Sequence, residues 1–413
     1  MAIPVPEKRI ADFENMGFGI FVHWGLYSLL GQGEWIRVNR EFPGDSYHDL
    51  MKEFTAEGFN GREWARMAKR AGAKYMTLTT RHHDGFSLYD TRGLNEYDAP
   101  HSAAGRDLIR EFVDGCNAEG IVPFLYHTTL DWDKPEYKTD FKKYLQYLRD
   151  SVEILCTQYG PIGGLWFDGN WDRPPETDWK DDELYALIRR YQPEAIIVDN
   201  TGLDRRGAVG NKELDSVTFE QGRPTPMDRE GMPKYVAAEM CQTINQHWGY
   251  GKADFNYKSL AYLIETLCAC RKVGANYLLN VGPDGDGVVP AMQAELMAGI
   301  GDWIRTCGSS IYKAKPCGVT GDGKNFALRD GNKIYFYIHD LSVVGDSNVV
   351  PEGGSAGEKA FSGVPGKISN LHWVDNDETL EFRQDGSDLT MNCTGYPYGV
   401  NLVVRVAEAD LEA

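Results

Sequence analysis

The sequence has no excess of positive charge. Of 413 residues, 43 are Lys or Arg and 61 are Asp or Glu, a formal net charge of −18. Binding a phosphate backbone needs a basic surface, so this balance argues against a nucleic-acid partner. It argues equally against an anionic membrane surface. No apolar run approaches the roughly 20 residues that a membrane-spanning helix needs. Residues 1–10 lack the apolar core of a secretory leader, and a cytoplasmic setting is therefore expected. Cysteines are few and scattered, eight in all. The one close pair, Cys268 and Cys270, lies two apart in an apolar helical segment, where side chains diverge and zinc spacing is not met. Buried free thiols are expected. Also missing are a G-x-G-x-x-G after the first strand, the main sign of a dinucleotide fold, and the metal spacings H-x-H and H-E-x-x-H.

What the chain does contain is a series of short apolar runs that end in polar residues. Residues 17–24 end in His23-Trp24-Gly25, and the loop beyond carries Glu34-Trp35. Residues 75–79 lead into His82-His83-Asp84, and 121–126 end in Tyr126-His127. Residues 165–167, flanked by glycines, run into Asp168, and 195–198 into Asp199-Asn200. The Gly-, Pro- and charge-rich stretch 201–235 holds one strand-like piece, Thr218-Phe219-Glu220, with Glu213 just before it. Residues 236–240 carry Glu239, a loop follows with Trp248, and 276–281 form the last run before a GPDGDG turn. Helical periodicity fills the intervals at 62–71, 107–118, 139–158, 181–191, 258–272 and 290–306.

Strands alternating with helices imply right-handed βαβ units and a parallel sheet. About eight such units predict an α/β fold, a (β/α)8-like barrel of the TIM type, over residues 1–311. From 312 to 413 helical periodicity stops and short alternating runs appear, which predicts a smaller antiparallel β-sandwich. Within it, the Gly-rich residues 342–366 read as a long loop.

In such a barrel the C-terminal strand ends converge on one face, the face that carries catalysis. Three chemistries fit the residues that would meet there. His82, His83 and Asp84 suggest a metal-dependent hydrolase, although neighbours on a strand point to opposite sides and His82 and His83 would need a bend to act together. Asp168 with a later Glu suggests glycoside hydrolysis by two carboxyl groups. The many aromatics, 10 Trp, 22 Tyr and 17 Phe, suit either that enzyme or a non-catalytic sugar-binding barrel.

The segments FGIFVHWG, EW at 34–35, AKYMTLTTRHHDGF, LWFDG, CQTINQHWGY and NYLLNVGPDGDG occur in this order across residues 17–310. Together they resemble the α-L-fucosidases of glycoside hydrolase family 29. The resemblance implies a retaining, exo-acting enzyme on terminal α-L-fucosyl residues of a glycan or fucoside, with no metal or other cofactor. It implies Asp168 as nucleophile and Glu220 as acid/base, with Glu239 and Glu213 as alternatives. It implies His23, Glu34, Trp35, His82, His83, Tyr126 and His127 around the sugar. Trp248 would face the fucose methyl, with Phe21 adding to that apolar wall. The family's site arginine would be Arg205 or Arg206.

Overall fold

The computed structural model describes residues 2–200, 212–222, 224–350 and 353–412. The eight apolar runs form eight strands: β1 Phe18–Val22, β2 Tyr75–Arg81, β3 Val122–Thr128, β4 Gly164–Asp168, β5 Ile196–Asn200, β6 Ser216–Thr218, β7 Ala237–Thr243 and β8 Asn276–Val281. They pair in parallel in chain order, and β8 returns to β1 to close the barrel. Closure leaves no sheet edge to protect.

Successive residues of a strand point to opposite sides, so inward positions recur every second residue. Phe21, Phe124, Tyr126, Trp166, Val198 and Cys241 fill the barrel as part of one buried cluster. Ile10 and Phe13 join it from the helix Lys8–Met16, an element not predicted above. Gly19 permits this filling, since a β-carbon there would stand 2.4 Å from the Tyr75 ring.

The polypeptide divides into two compact units, Met1–Lys258 with Asn276–Ala298 and Ser259–Ala275 with Gly299–Ala413. The helix Leu260–Lys272 thus groups with the second unit although it precedes β8. That unit contains eight further strands: β9 Lys315–Gly321, β10 Phe326–Asp330, β11 Lys333–His339, β12 Gly357–Ser362, β13 Ile368–Trp373, β14 Phe382–Asp385, β15 Asp388–Cys393 and β16 Val404–Leu411. All are antiparallel in one sheet of order β13-β16-β11-β10-β9-β12-β15-β14. The sheet curls about a single core: Phe336 of β11, Phe361 of β12, Trp373 of β13 and Met391 of β15 all belong to it. The two end strands come close enough for the Ile368 amide to donate to Gln384 at 3.0 Å. Part of the predicted loop 342–366 is strand β12; its glycines and lysine hid the alternation, because only Phe361 is buried there.

Among the described residues no helix is long and apolar enough to cross a membrane.

Around the barrel the helices Gly61–Arg70 and Leu108–Glu119 cross at Gly61 and Gly115, where a β-carbon on Gly115 would lie 2.3 Å from the Gly61 backbone. Gly115→Ala should lower the unfolding free energy of the barrel by about 1–3 kcal/mol, the usual cost of overpacking. Denaturant titration checks this; a midpoint equal to wild type would mean that the helices part without cost.

Candidate active site

Strand register decides which side chains meet at the C-terminal end of the barrel. Asp168, last residue of β4, pairs with Asn200, last residue of β5. Val198 and Asp199 of β5 pair with Ser216 and Val217 of β6, which brings Thr218 beside Asn200. Glu220 follows two residues past Thr218. Trp166 points into the barrel, so Asp168, two residues on, does as well.

A cavity of about 280 Å³ opens there, room for one sugar ring. Asp168 lies in it with Glu220, His23, His82, His83, Tyr126 and Asn200. Phe21, Trp35, Trp166, Trp171, Cys241 and Trp248 supply the remaining wall. Asp168 is held by the Gly169 backbone amide and by three side-chain donors: the Trp171 indole N–H to Oδ1 at 2.8 Å, the Asn200 amide to Oδ1 at 3.2 Å, and the Tyr126 hydroxyl to Oδ2 at 3.2 Å. Burial nevertheless wins and raises its pKa above the ordinary carboxylate value, against the pull of those donors.

The Asn200 amide nitrogen also lies 2.7 Å from Glu220 Oε2. Two carboxylate oxygens reached by one nitrogen, at 3.2 and 2.7 Å, can be no farther apart than those two lengths end to end. At least one pair of their oxygens therefore lies closer than the roughly 6.5–9.5 Å by which inverting glycosidases separate their carboxyl groups.

The three pocket histidines are neutral. Burial pushes His23 and His83 down to about 3 and takes His82 well below its usual value. Their tautomers follow from their partners. The Asn280 amide N–H₂ donates to the Trp248 carbonyl at 2.6 Å, which leaves Asn280 Oδ1 to accept from His23 Nδ1 at 2.7 Å. The Thr128 hydroxyl donates to the Leu130 carbonyl, so its oxygen accepts from His83 Nδ1 at 2.7 Å. Each ring therefore presents Nε2 as an acceptor. His83 Nε2 is 3.5 Å from Asp168 Oδ2. His82 Nδ1 is buried with no protein partner. The bend these histidines needed is present, because β2 stops at Arg81 and both line the cavity.

Four expected site residues lie elsewhere. His127 is fully buried behind the wall, its Nδ1 on the Thr128 carbonyl and its Nε2 near Tyr89. It follows Tyr126 by one and so faces the opposite way. Glu34 does not line the cavity; its Oε2 accepts from the Gly249 amide at 2.8 Å and so anchors the loop that carries Trp248. Glu239 is buried below the cavity floor, accepting from the Trp166 indole at 2.9 Å and from the Tyr75 hydroxyl. Glu213 precedes β6, at the end of the strand away from the cavity, and pairs with Arg189. Asp84, grouped above with His82 and His83, is turned away from them by the Tyr47 hydroxyl at 2.7 Å. Arg205 and Arg206 lie outside the described residues.

Asn200, one of the expected strand-end residues, lines the cavity, as do Trp166, Trp171 and Cys241, which are not among them. The period of two marks Trp166, two before Asp168, and Cys241, two after Glu239. Trp171 carried no such sign, since it follows a glycine turn with φ 115° at Gly169.

A parallel barrel whose open face holds two neighbouring carboxyl groups, neutral histidine acceptors and aromatic walls is the architecture of a glycoside hydrolase. Comparison with known proteins narrows the class. Residues 6–309 match the α-L-fucosidase family model, and the chain belongs to that family. It is 30% identical to the tissue α-L-fucosidase of Rattus norvegicus over 406 residues, covering 88% of this chain and 82% of that one. It is 32% identical to the tissue α-L-fucosidase of Bos taurus over 344 residues, covering 76% and 70%. Among solved structures, α-L-fucosidase isoenzyme 1 from Paenibacillus thiaminolyticus superimposes with a TM-score of 0.85 at 30% identity, over 98% of this chain and 99% of that chain. A family 29 α-L-fucosidase from Bacteroides thetaiotaomicron shares the fold, with a TM-score of 0.85 at 22% identity over 100% and 97%.

Burial raises the Glu239 carboxyl from 4.5 to about 7. The folded chain keeps a proton that the unfolded chain releases across that window. Wild type therefore loses up to ~1.4 kcal/mol per pH unit as pH rises through it. Glu239→Gln has no such proton, so its unfolding free energy relative to wild type should increase between pH 4.5 and 7. A difference independent of pH would mean that Glu239 is ionised in the folded protein.

Proposed function

We propose that this protein removes terminal α-L-fucosyl residues with retention of configuration, Asp168 acting as nucleophile and Glu220 as acid/base. The observation that carries this reading is the Asn200 amide spanning the two carboxyl groups, which supports a separation suited to a covalent intermediate. An oxygen of Asp168 attacks the anomeric carbon while Glu220 gives its proton to the leaving oxygen. Glu220 then takes a proton from water, which releases the sugar from Asp168.

The pocket supports fucose as the sugar. His23 and His83 offer acceptors to ring hydroxyls, and His82 lines the pocket beside them. Phe21, Trp166, Trp248 and Cys241 offer an apolar wall. Fucose lacks a 6-hydroxyl, and an apolar wall facing C6 penalises sugars that carry one, because burying an unpaired hydroxyl is costly. The acidic surface suits a neutral glycan rather than a polyanion or an anionic membrane.

Release of p-nitrophenol from the α-L-fucoside should exceed release from the α-D-galactoside and the α-D-xyloside. Asp168→Ala should abolish turnover, and azide added to it should give a fucosyl azide of inverted configuration. Substantial activity in Asp168→Ala would rule out this nucleophile. Glu220→Ala should slow substrates with poor leaving groups by about 10²–10⁴-fold and spare the first step on activated aryl fucosides. Equal slowing of both, or of neither, would move the acid role to another carboxyl group.

A further inference from the structure

Resting on that reading, we propose that Asn200 is a positioning residue. It gives one amide hydrogen to each carboxyl group, and so determines which oxygen of Glu220 carries the acid proton and stays bonded to the site's negative charge as it moves between Asp168 and Glu220.

The orientation of the amide is set from outside the pair. The Thr218 hydroxyl donates to Asn200 Oδ1 at 2.9 Å, which identifies the oxygen and turns the N–H₂ group toward the carboxyl groups. Asn200 is only 3% exposed, and it is the last residue of a paired strand. Its nitrogen donates to Asp168 Oδ1 at 3.2 Å and to Glu220 Oε2 at 2.7 Å. Trp171 and Tyr126, by contrast, donate to Asp168. An oxygen that accepts from the amide is not the one that carries a proton toward the substrate. The acid proton of Glu220 is thereby assigned to Oε1.

The two half-reactions move one charge back and forth. At rest Asp168 is ionised and Glu220 is protonated. As an Asp168 oxygen bonds to the anomeric carbon, the bond from that carbon to the leaving oxygen breaks. Its electron pair goes to the leaving oxygen, which takes the proton from Glu220 Oε1. Asp168 is then a neutral ester and Glu220 a carboxylate. In the second step water gives a proton to Glu220, its oxygen bonds to the anomeric carbon, and the ester electron pair returns to Asp168. A fixed donor that reaches both ends of this path stabilises the charge at each without reorganising.

Among the described residues, the titratable groups around the pair are His23 on β1, His82 and His83 after β2, Tyr126 on β3, Asp199 on β5, and Cys241 and Glu239 on β7. Burial keeps the three histidines neutral, and it keeps Tyr126 and Cys241 protonated. Asp199 is bonded to the Tyr185 hydroxyl. Glu239 titrates at about 7, so each comparison is repeated in a Glu239→Gln background.

The test is the pH profile of kcat/KM on p-nitrophenyl α-L-fucoside. An amide N–H favours the ionised form of each carboxyl group, so its loss raises both pKa values. Asn200→Ala should therefore move both limbs of the bell to higher pH. It should lower kcat by roughly 10- to 100-fold, the worth of hydrogen bonds to charged groups, with KM little changed. Thr218→Val, which frees the amide to turn, should shift both limbs the same way by less, and it carries the test should Asn200→Ala not fold. Limbs that stay at the wild-type pH in either folded variant, whatever its rate, would overturn the inference and leave the functional reading standing. No turnover by wild type, or full turnover by Asp168→Ala, would overturn that reading and this inference with it.

Discussion

A carboxylate taken out of water has to be met by donors, and the catalytic face of this barrel is arranged around that requirement at Asp168. Burial works to neutralise the group, while Trp171, Tyr126 and Asn200 work to keep it charged. The three donors come from three different places: the turn after β4, the end of β3, and the end of β5. Their meeting depends on the barrel being closed and in register. A slip of one residue between β4 and β5 would turn Asn200 outward and replace it with Asp199, a like charge.

The same economy governs the walls. His23 and His83 are each fixed by a hydrogen bond on the side away from the cavity, so each keeps a lone pair for the cavity. Burial holds them neutral, His83 included, although its Nε2 lies 3.5 Å from Asp168 Oδ2. A neutral ring accepts from a sugar hydroxyl, where an imidazolium could only donate. Against His23, Phe21 packs on Trp166 and Trp248, with ring centroids 5.0 and 5.9 Å apart. Two expected site residues, the sugar contact Glu34 and the alternative acid/base Glu239, support this arrangement from behind. Glu34 steadies the Trp248 loop, and Glu239 steadies the Trp166 indole.

Much of the architecture was legible along the chain. The eight parallel strands, the alternating helices and the β-rich second unit all carry periodicity that a single sequence displays. The misses have local physical causes. β12 shows no alternation, because Phe361 is its one buried side chain. Helix Lys8–Met16 shows little apolar stripe, because only Ile10, Phe13 and Glu14 of its residues are buried. His127 ends the same apolar run as Tyr126 but, one residue on, faces the opposite way.

The sequence by itself determined which polar residues end the strands, because each stands directly after an apolar run that has to be buried. It determined Asp168 in this way, and the family resemblance put Glu220 first among three glutamates for the acid/base. Which of those three lines the cavity was decided by the fold. Glu213, Glu220 and Glu239 lie within 27 positions of one another, yet they sit before a strand, after it, and inside the barrel. Their depth along the barrel axis follows from strand limits and from pairing with neighbours distant in the chain, which no local pattern encodes. The bridge from Asp168 through Asn200 to Glu220 is likewise a property of three strands held side by side by hydrogen bonds between backbones.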